Sequence, residues 1–181
     1  MKRLLVVLAL VLGLLLPAAK AQLPTFQLSQ ELLDFMATAP AADDLVAGEG
    51  KFAPTEKGES MQFTVSAHGP GGPTLELPLA AAKGNLRLKI NGVEEHGRVE
   101  CMHVEENEAI LEGSFDESVM FEGQAFPDFI MFVDDRGEPN GDLPDQANIG
   151  LDSNAAQCFT TSVILAGGAV QQGNIVVMDR P

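Results

Sequence analysis

Hydrophobic and polar residues change their spacing several times along the chain. Leu4 to Leu16 is an apolar run broken only by Gly13, preceded by the basic Met1-Lys2-Arg3 and followed by Pro17 and Ala18-Ala19-Lys20-Ala21. This order of basic, apolar and small residues predicts a secretory signal peptide over 1–21, cleaved after Ala21. Thirteen helical residues reach only about 20 Å, short of a hydrocarbon core of about 30 Å, and no second apolar span follows. No membrane span is therefore expected once the signal is removed.

Residues 22–47 read as a lead-in. Ser29 to Met36 has the spacing of a short amphipathic helix with Ser29 as its N-cap, and the Ala-Thr-Ala-Pro-Ala-Ala stretch from Ala37 reads as a linker. Over 48–181 the pattern becomes one of short alternating runs separated by Gly, Pro, Asn and Asp. Candidate strands are Gly48–Ala53, Met61–His68, Leu86–Ile90, Arg98–Val104, Ala109–Phe115, Phe129–Val133, Asn148–Leu151 and Asn174–Met178. The clearest is Leu86-Arg87-Leu88-Lys89-Ile90, apolar on one face and cationic on the other. Asn91-Gly92 supplies a turn, with the next strand expected a few residues later. Val99 to Leu111 reads as a hairpin through Glu105-Glu106-Asn107, with Asn107 taking the positive φ. Gly69-Pro70-Gly71-Gly72-Pro73 is expected as a loop, because proline cannot lie inside a central strand. Strands at this spacing, without intervening helices, predict an all-β fold. An antiparallel β-sandwich and a small β-barrel of about eight strands, each with a short N-terminal lead-in, both satisfy the pattern.

Composition alters this picture mainly through charge. The 181 residues carry 11 Lys and Arg against 26 Asp and Glu, a net of −15. Removing 1–21 discards Lys2, Arg3 and Lys20, leaving eight cations and a net of −18. That balance excludes a nucleic-acid binder acting through the phosphate backbone and disfavours docking on an anionic membrane. It fits a soluble protein of a secreted or periplasmic compartment that attracts cations or basic surfaces. Cys101 and Cys158 are the only two cysteines. In an oxidising compartment, without a CxxC spacing, they are expected to form a disulfide.

Candidate chemistry is sparse. The densest oxygen-donor segment is Asp134-Asp135-Arg136-Gly137-Glu138-Pro139-Asn140-Gly141-Asp142-Leu143-Pro144-Asp145. Hard cations such as Ca²⁺ need six to eight oxygens, so Asp134, Asp135, Glu138, Asp142 and Asp145 are the candidate metal ligands, although the spacing is not that of an EF-hand. The competing reading is a solvated loop whose Asp and Asn side chains make turn hydrogen bonds. His68, His96 and His103 are isolated, without the spacing of a zinc site. No GxSxG elbow and no phosphate-binding glycine fingerprint occurs. Trp and Tyr are absent altogether, which removes the usual sugar-stacking platforms. The Phe residues at 115, 121, 126, 129, 132 and 159 read as core.

Three segments in order carry a resemblance. Cys101-Met102-His103-Val104-Glu105-Glu106-Asn107-Glu108-Ala109-Ile110-Leu111-Glu112-Gly113 resembles the CLxVxGNxAxxGG strand-turn-strand of a family of uncharacterised secreted bacterial β-domains. Val133-Asp134-Asp135-Arg136-Gly137-Glu138-Pro139-Asn140-Gly141 is similar to its VxDNGEPG segment, with Asp142 or Asp145 matching a following Asp. Gly173-Asn174-Ile175-Val176-Val177-Met178-Asp179 resembles its closing GNIxVHD strand. The resemblance spans roughly Gly48 to Asp179. It implies export, β-architecture and a cysteine pair, in domains that sometimes accompany choice-of-anchor domains, and it implies no established reaction. Glu106 stands where the family has the turn glycine, Arg136 where it has Asn, and Met178 where it has His.

The expectation is therefore an exported, non-enzymatic β-domain for contact with a cell surface, a matrix or an extracellular protein partner, with the acidic loop as candidate cation site. The alternatives are a secreted small-ligand-binding barrel, which requires an enclosed cavity, and a hydrolase with a motif-free site. The hydrolase requires a pocket in which a His or carboxylate of shifted pKa reaches a nucleophile or water.

Overall fold

The computed structural model describes residues 28–52, 60–70, 79–121, 123–137, 143–152, 158 and 163–180. The signal-peptide expectation, together with Glu138 and Asp142, lies outside them. Among the described residues, one helix, α1 (Gln30–Thr38), precedes nine strands: β1 (Asp43–Lys51), β2 (Met61–Pro70), β3 (Ala80–Ile90), β4 (Val93–Glu105), β5 (Glu108–Phe121), β6 (Gln124–Asp134), β7 (Gln146–Asp152), β8 (Val163–Ala169) and β9 (Gln172–Met178). All pair antiparallel in a single sheet of order β8-β7-β6-β5-β4-β3-β2-β1-β9. The fold is all-β, as the alternation predicts, and the sheet curls into a half-barrel.

The curl follows from the alternation and from four breaks in register. Inward positions such as Val65, Leu86, Leu88, Leu111, Met131 and Ile149 are fully buried in one continuous apolar cluster that fills the concave side. Irregularities lie at Ala81/Gly84, Val99/Cys101, Ser114/Val119 and Ile149/Gly150. Such breaks bend a strand and sharpen its twist. The one at Val99/Cys101 also resets the parity of β4, so that Val99 and Met102 join the core cluster while Cys101 does not. Over the core, the Phe129 ring lies against Gly97 and Gly113, where an added Cβ would come within 2.8 Å of ring carbons. Those two glycines make the seat for the largest fully buried side chain.

One strand path serves both edges of the sheet. β8 pairs with β7, β9 pairs with β1, and only Val170 and Gln171 separate them. The Val170 N–H donates to Asp145 O on the β7 side (2.8 Å), and the next N–H, that of Gln171, donates to Lys51 O on the β1 side (2.9 Å). The chain thus crosses from one edge to the other within a single residue step.

Several local expectations need correction. The described residues form nine strands, in keeping with the expected number, but β8, Val-Ile-Leu-Ala-Gly-Gly-Ala, is not among the candidates because it has no apolar-polar alternation to betray it. β1 begins at Asp43, within the 22–47 lead-in and before the Gly48 expected as its start, and Leu45 and Ala47 are buried under α1. β2 runs on to Pro70, so the first two residues of the Gly69–Pro73 loop belong to a strand. Ser29 occupies the N-cap position of α1 without capping it through its hydroxyl; its N–H instead donates to Glu49 Oε1 (2.9 Å). Asn91 and Gly92, both at positive φ, join β3 directly to β4 as a two-residue hairpin.

At the β4–β5 turn the positive φ falls on Glu106 (56°), not on Asn107. This is the position where the resembled motif has glycine. A left-handed backbone costs a non-glycine residue roughly 1–2 kcal/mol. Glu106→Gly is expected to stabilise the fold by about 1 kcal/mol, since Glu106 holds Asp179 through its backbone N–H (3.1 Å), which glycine keeps. Denaturant melts of the two proteins check this, and an unchanged midpoint refutes it.

Candidate functional site

The acidic loop is tied into the fold. The Asp145 carboxylate accepts from Ile175 N–H (2.8 Å) and Arg136 N–H (3.0 Å). Asp135 accepts from Val177 N–H (3.1 Å) and Gly137 N–H (2.9 Å). Asp134 accepts from Asn107 Nδ2 (2.8 Å) and Arg136 Nε (2.6 Å). All six carboxylate oxygens of these three residues therefore have N–H donors from the protein itself. Ile175 and Val177 are alternate residues of β9, and their N–H groups point away from β1. The loop carboxylates stand where a neighbouring strand would supply carbonyls, and they stitch the β9 edge to the end of β6. Glu106 N–H to Asp179 and Arg180 N–H to Asp44 (2.8 Å) extend the stitch. The β4–β5 turn, the residues that follow β6 and the end of β9 meet here, at one end of the sheet. Among the described residues, no group of three or more His, Cys, Asp or Glu is arranged to hold a metal ion.

Asp145 is buried, and that burial raises its carboxyl above the usual range despite the two backbone N–H bonds, with Asp135 and Asp134 adding repulsion. Asp44 is raised for the same first reason.

A second acidic group lies on the outer face of β5, β6 and β7. Asp128 and Asp152 are cross-strand neighbours, and Glu112 sits one outward position along β5 from the Ser114 that faces Asp128. Glu112 is 5% exposed and its Oε1 has no hydrogen-bond partner. Burial first, then the charges of Asp152 and Asp128, push its carboxyl up to about 6, from an ordinary 4.5. A carboxyl whose folded pKa is raised holds its proton more tightly when folded. Its stabilising contribution is complete below pH about 4.5 and is lost as pH rises through about 6, a change of up to about 2 kcal/mol. Glu112→Gln is expected to flatten that part of the stability profile and to be the more stable protein at pH 7. Urea melts between pH 4 and pH 7.5 would show it; a variant that keeps the wild-type slope from 4.5 to 6 disproves it.

The disulfide Cys101–Cys158 is formed, with Cα atoms 5.7 Å apart. It ties the chain between β7 and β8 to β4, three strands away in the sheet order, and Leu79 N–H donates to Cys158 O (3.1 Å).

Among the described residues each histidine is seen beside a carboxylate. His68 Nδ1 lies 2.7 Å from Asp43 Oδ2, the orienting half of a general-base pair, with Phe35 beside its ring. Among the described residues, no hydroxyl or thiol hydrogen-bonds its other nitrogen. His96 pairs with Glu94 (3.2 Å), and His103 approaches Glu105 at 4.0 Å.

A polar concave surface lies on the outer face of the sheet. α1 rests on β1 through Leu32, packed with Leu45 and Ala47, and Phe35 and Met36 join that cluster. It overhangs the outward side chains of β2, β3 and β4. Two hollows, about 410 Å³ and about 690 Å³, share Glu31, Thr64 and Arg87 and so form one trench. Register sets its floor: Lys51, Gln62, Lys89 and Glu94 lie side by side, then Glu49, Thr64, Arg87 and His96, then Ser66, Asn85 and Arg98. From the first row to the third is about 13 Å along the strands. Arg87 Nη2 reaches up to Glu31 on α1 (2.6 Å) and bridges the trench where the hollows meet. The alternation of Leu86 to Ile90 had announced this cationic outer face. The overhanging helix, seated through residues far from β3 in sequence, had no such signal.

No protein-family model matches the chain, and neither the curated proteins nor the solved structures include a significant match.

Proposed function

We propose that this chain is an exported, non-enzymatic β-domain that engages a cell-surface, matrix or extracellular partner through the trench between α1 and the outer face of β2–β4. The observation that carries this reading is the division of the sheet's two faces. Among the described residues the concave face carries one continuous cluster of buried apolar side chains, which supports a packed core there over a carrier's cavity. The outer face holds a polar trench with charged groups along its length. The formed disulfide agrees with an oxidising, extracytoplasmic site of action. The acidic loop enters this reading as the stitch of the β9 edge, and the motif resemblance supports export without adding an activity.

The test is saturable binding of the labelled protein to intact cells of its own source. Arg87→Glu with Arg98→Glu is expected to weaken that binding at least tenfold while the melting temperature stays within a few degrees. Absence of saturable binding, or binding indifferent to the double substitution, overturns the proposal.

A further inference from the structure

The two sides of the trench differ in charge. Its roof is α1, which supplies the carboxylates of Glu31 and Asp34 and holds no cation. Its floor, on the sheet, supplies four cations, Lys51, Arg87, Lys89 and Arg98, against the carboxylates of Glu49, Glu94 and Asp116. With His96 neutral, the floor is positive by one and the roof negative by two. At a Debye length of about 8 Å an occupant between them feels these groups and little of the remoter acids. A polyanion meets a lining that is negative overall, and a polycation meets the cations of the floor. A chain that turns acids toward the floor and bases toward the roof satisfies both sides.

An extended polypeptide has this property by its own geometry, because successive side chains point to opposite sides. The three rows of the floor span about 13 Å, which about four residues of extended chain cover at 3.3 Å each. Gln62, Thr64 and Ser66, the outward residues of β2, run uncharged along the floor between the β1 and β3 side chains. They offer donors and acceptors to peptide groups laid over them. We infer that the trench binds an extended peptide segment of a protein partner in which acidic and basic residues alternate, an inference that rests on the trench being the partner site. The acids of the segment meet Arg87, Lys89 and Arg98, and its bases meet Glu31 and Asp34. The Arg87–Glu31 ion pair has both side chains exposed, so it is weakly held and opens at little cost. Each member then takes an opposite charge from the partner.

Calorimetric titration of the purified full chain at low ionic strength tests this with four capped hexapeptides: alternating Glu-Lys-Glu-Lys-Glu-Lys, its block isomer Glu-Glu-Glu-Lys-Lys-Lys, hexaglutamate and hexalysine. The alternating peptide is expected to bind saturably and the other three at least tenfold more weakly. The block isomer has the same composition and net charge, so only the placement of charges on the two sides separates it. Charge reversal should redirect the preference. Lys89→Glu with Arg98→Glu, both exposed positions, makes both sides acidic and should make hexalysine the best of the four ligands. Glu31→Lys with Asp34→Lys should do the same for hexaglutamate. No binding of the alternating peptide, equal binding of the block isomer, or an unaltered order of ligands in both reversed variants each overturns the inference. If cell binding remains sensitive to the Arg87/Arg98 double substitution while the alternating peptide fails, the ligand class is wrong and the partner site stands; if both fail, both readings fall.

Discussion

Asp145→Ala is expected to destabilise the protein by about 3 kcal/mol, a large fraction of the stability of a domain this size. The substitution strands two N–H donors, those of Ile175 and Arg136, and Ile175 is 1% exposed, so water cannot readily replace the lost acceptor. Each buried donor left without an acceptor costs about 1–3 kcal/mol. Part of that loss is offset, because the removed carboxylate is itself held at a raised pKa by burial. Asp145→Asn, which keeps one carbonyl oxygen, should lose roughly half as much. Urea melts give the stabilities, and amide exchange at Ile175 and Val177 should accelerate ahead of the core of β5 and β6. A loss under about 1 kcal/mol would mean that the β9 edge does not depend on the loop.

Replacing both Cys101 and Cys158 by serine should cost about 4 kcal/mol, because the bond closes a loop of 57 residues and loop closure restrains chiefly the unfolded chain. The native sheet should survive, since Cys101 stays in its β4–β5 register without the bond. The clearest local sign would be faster exchange of the Leu79 amide, whose acceptor is Cys158 O. Reduced wild-type protein should melt with the double variant. Equal stability of the oxidised wild type and the double variant would show that the bond constrains nothing the sheet does not already fix.

Much of the sheet could be read from residue order alone. Leu86 to Ile90 and Met61 to His68 announce their inward faces because one side of each strand is core and the other is wet. β8 gives no such contrast, and β1 loses its contrast because a helix covers its outer face. The disulfide was legible because only one pairing of two cysteines exists. The acidic loop was legible as a concentration of oxygens but not as a stitch, because the donors that tie it to β9, Ile175 and Val177, lie 30 and 42 residues onward. Carboxylates grouped for a cation and carboxylates grouped for backbone amides look alike until the fold brings the amides to them. The trench was half legible: its cations were visible in the alternation of β3, whereas its overhang depends on Leu32 finding Leu45 and Ala47.

The single path shared by β8 and β9 has a consequence for the order of assembly. The last ladder of the sheet sets Leu45 opposite Met178, so its two sides come from near the start and near the end of the described chain. A polypeptide emerging amino end first can build the hairpins from β1 to β8 as they appear. It has nothing to lay along the outer side of β1 until β9 has followed. Until then, the backbone groups of β1 that β9 will take are open to any other strand. Contacts of such long range are slow to form, and an exposed strand edge is where nascent β-proteins go astray. The interval between release of β1 and arrival of β9 is therefore when this protein is most exposed to aggregation, and when a chaperone holding β1 would protect it most.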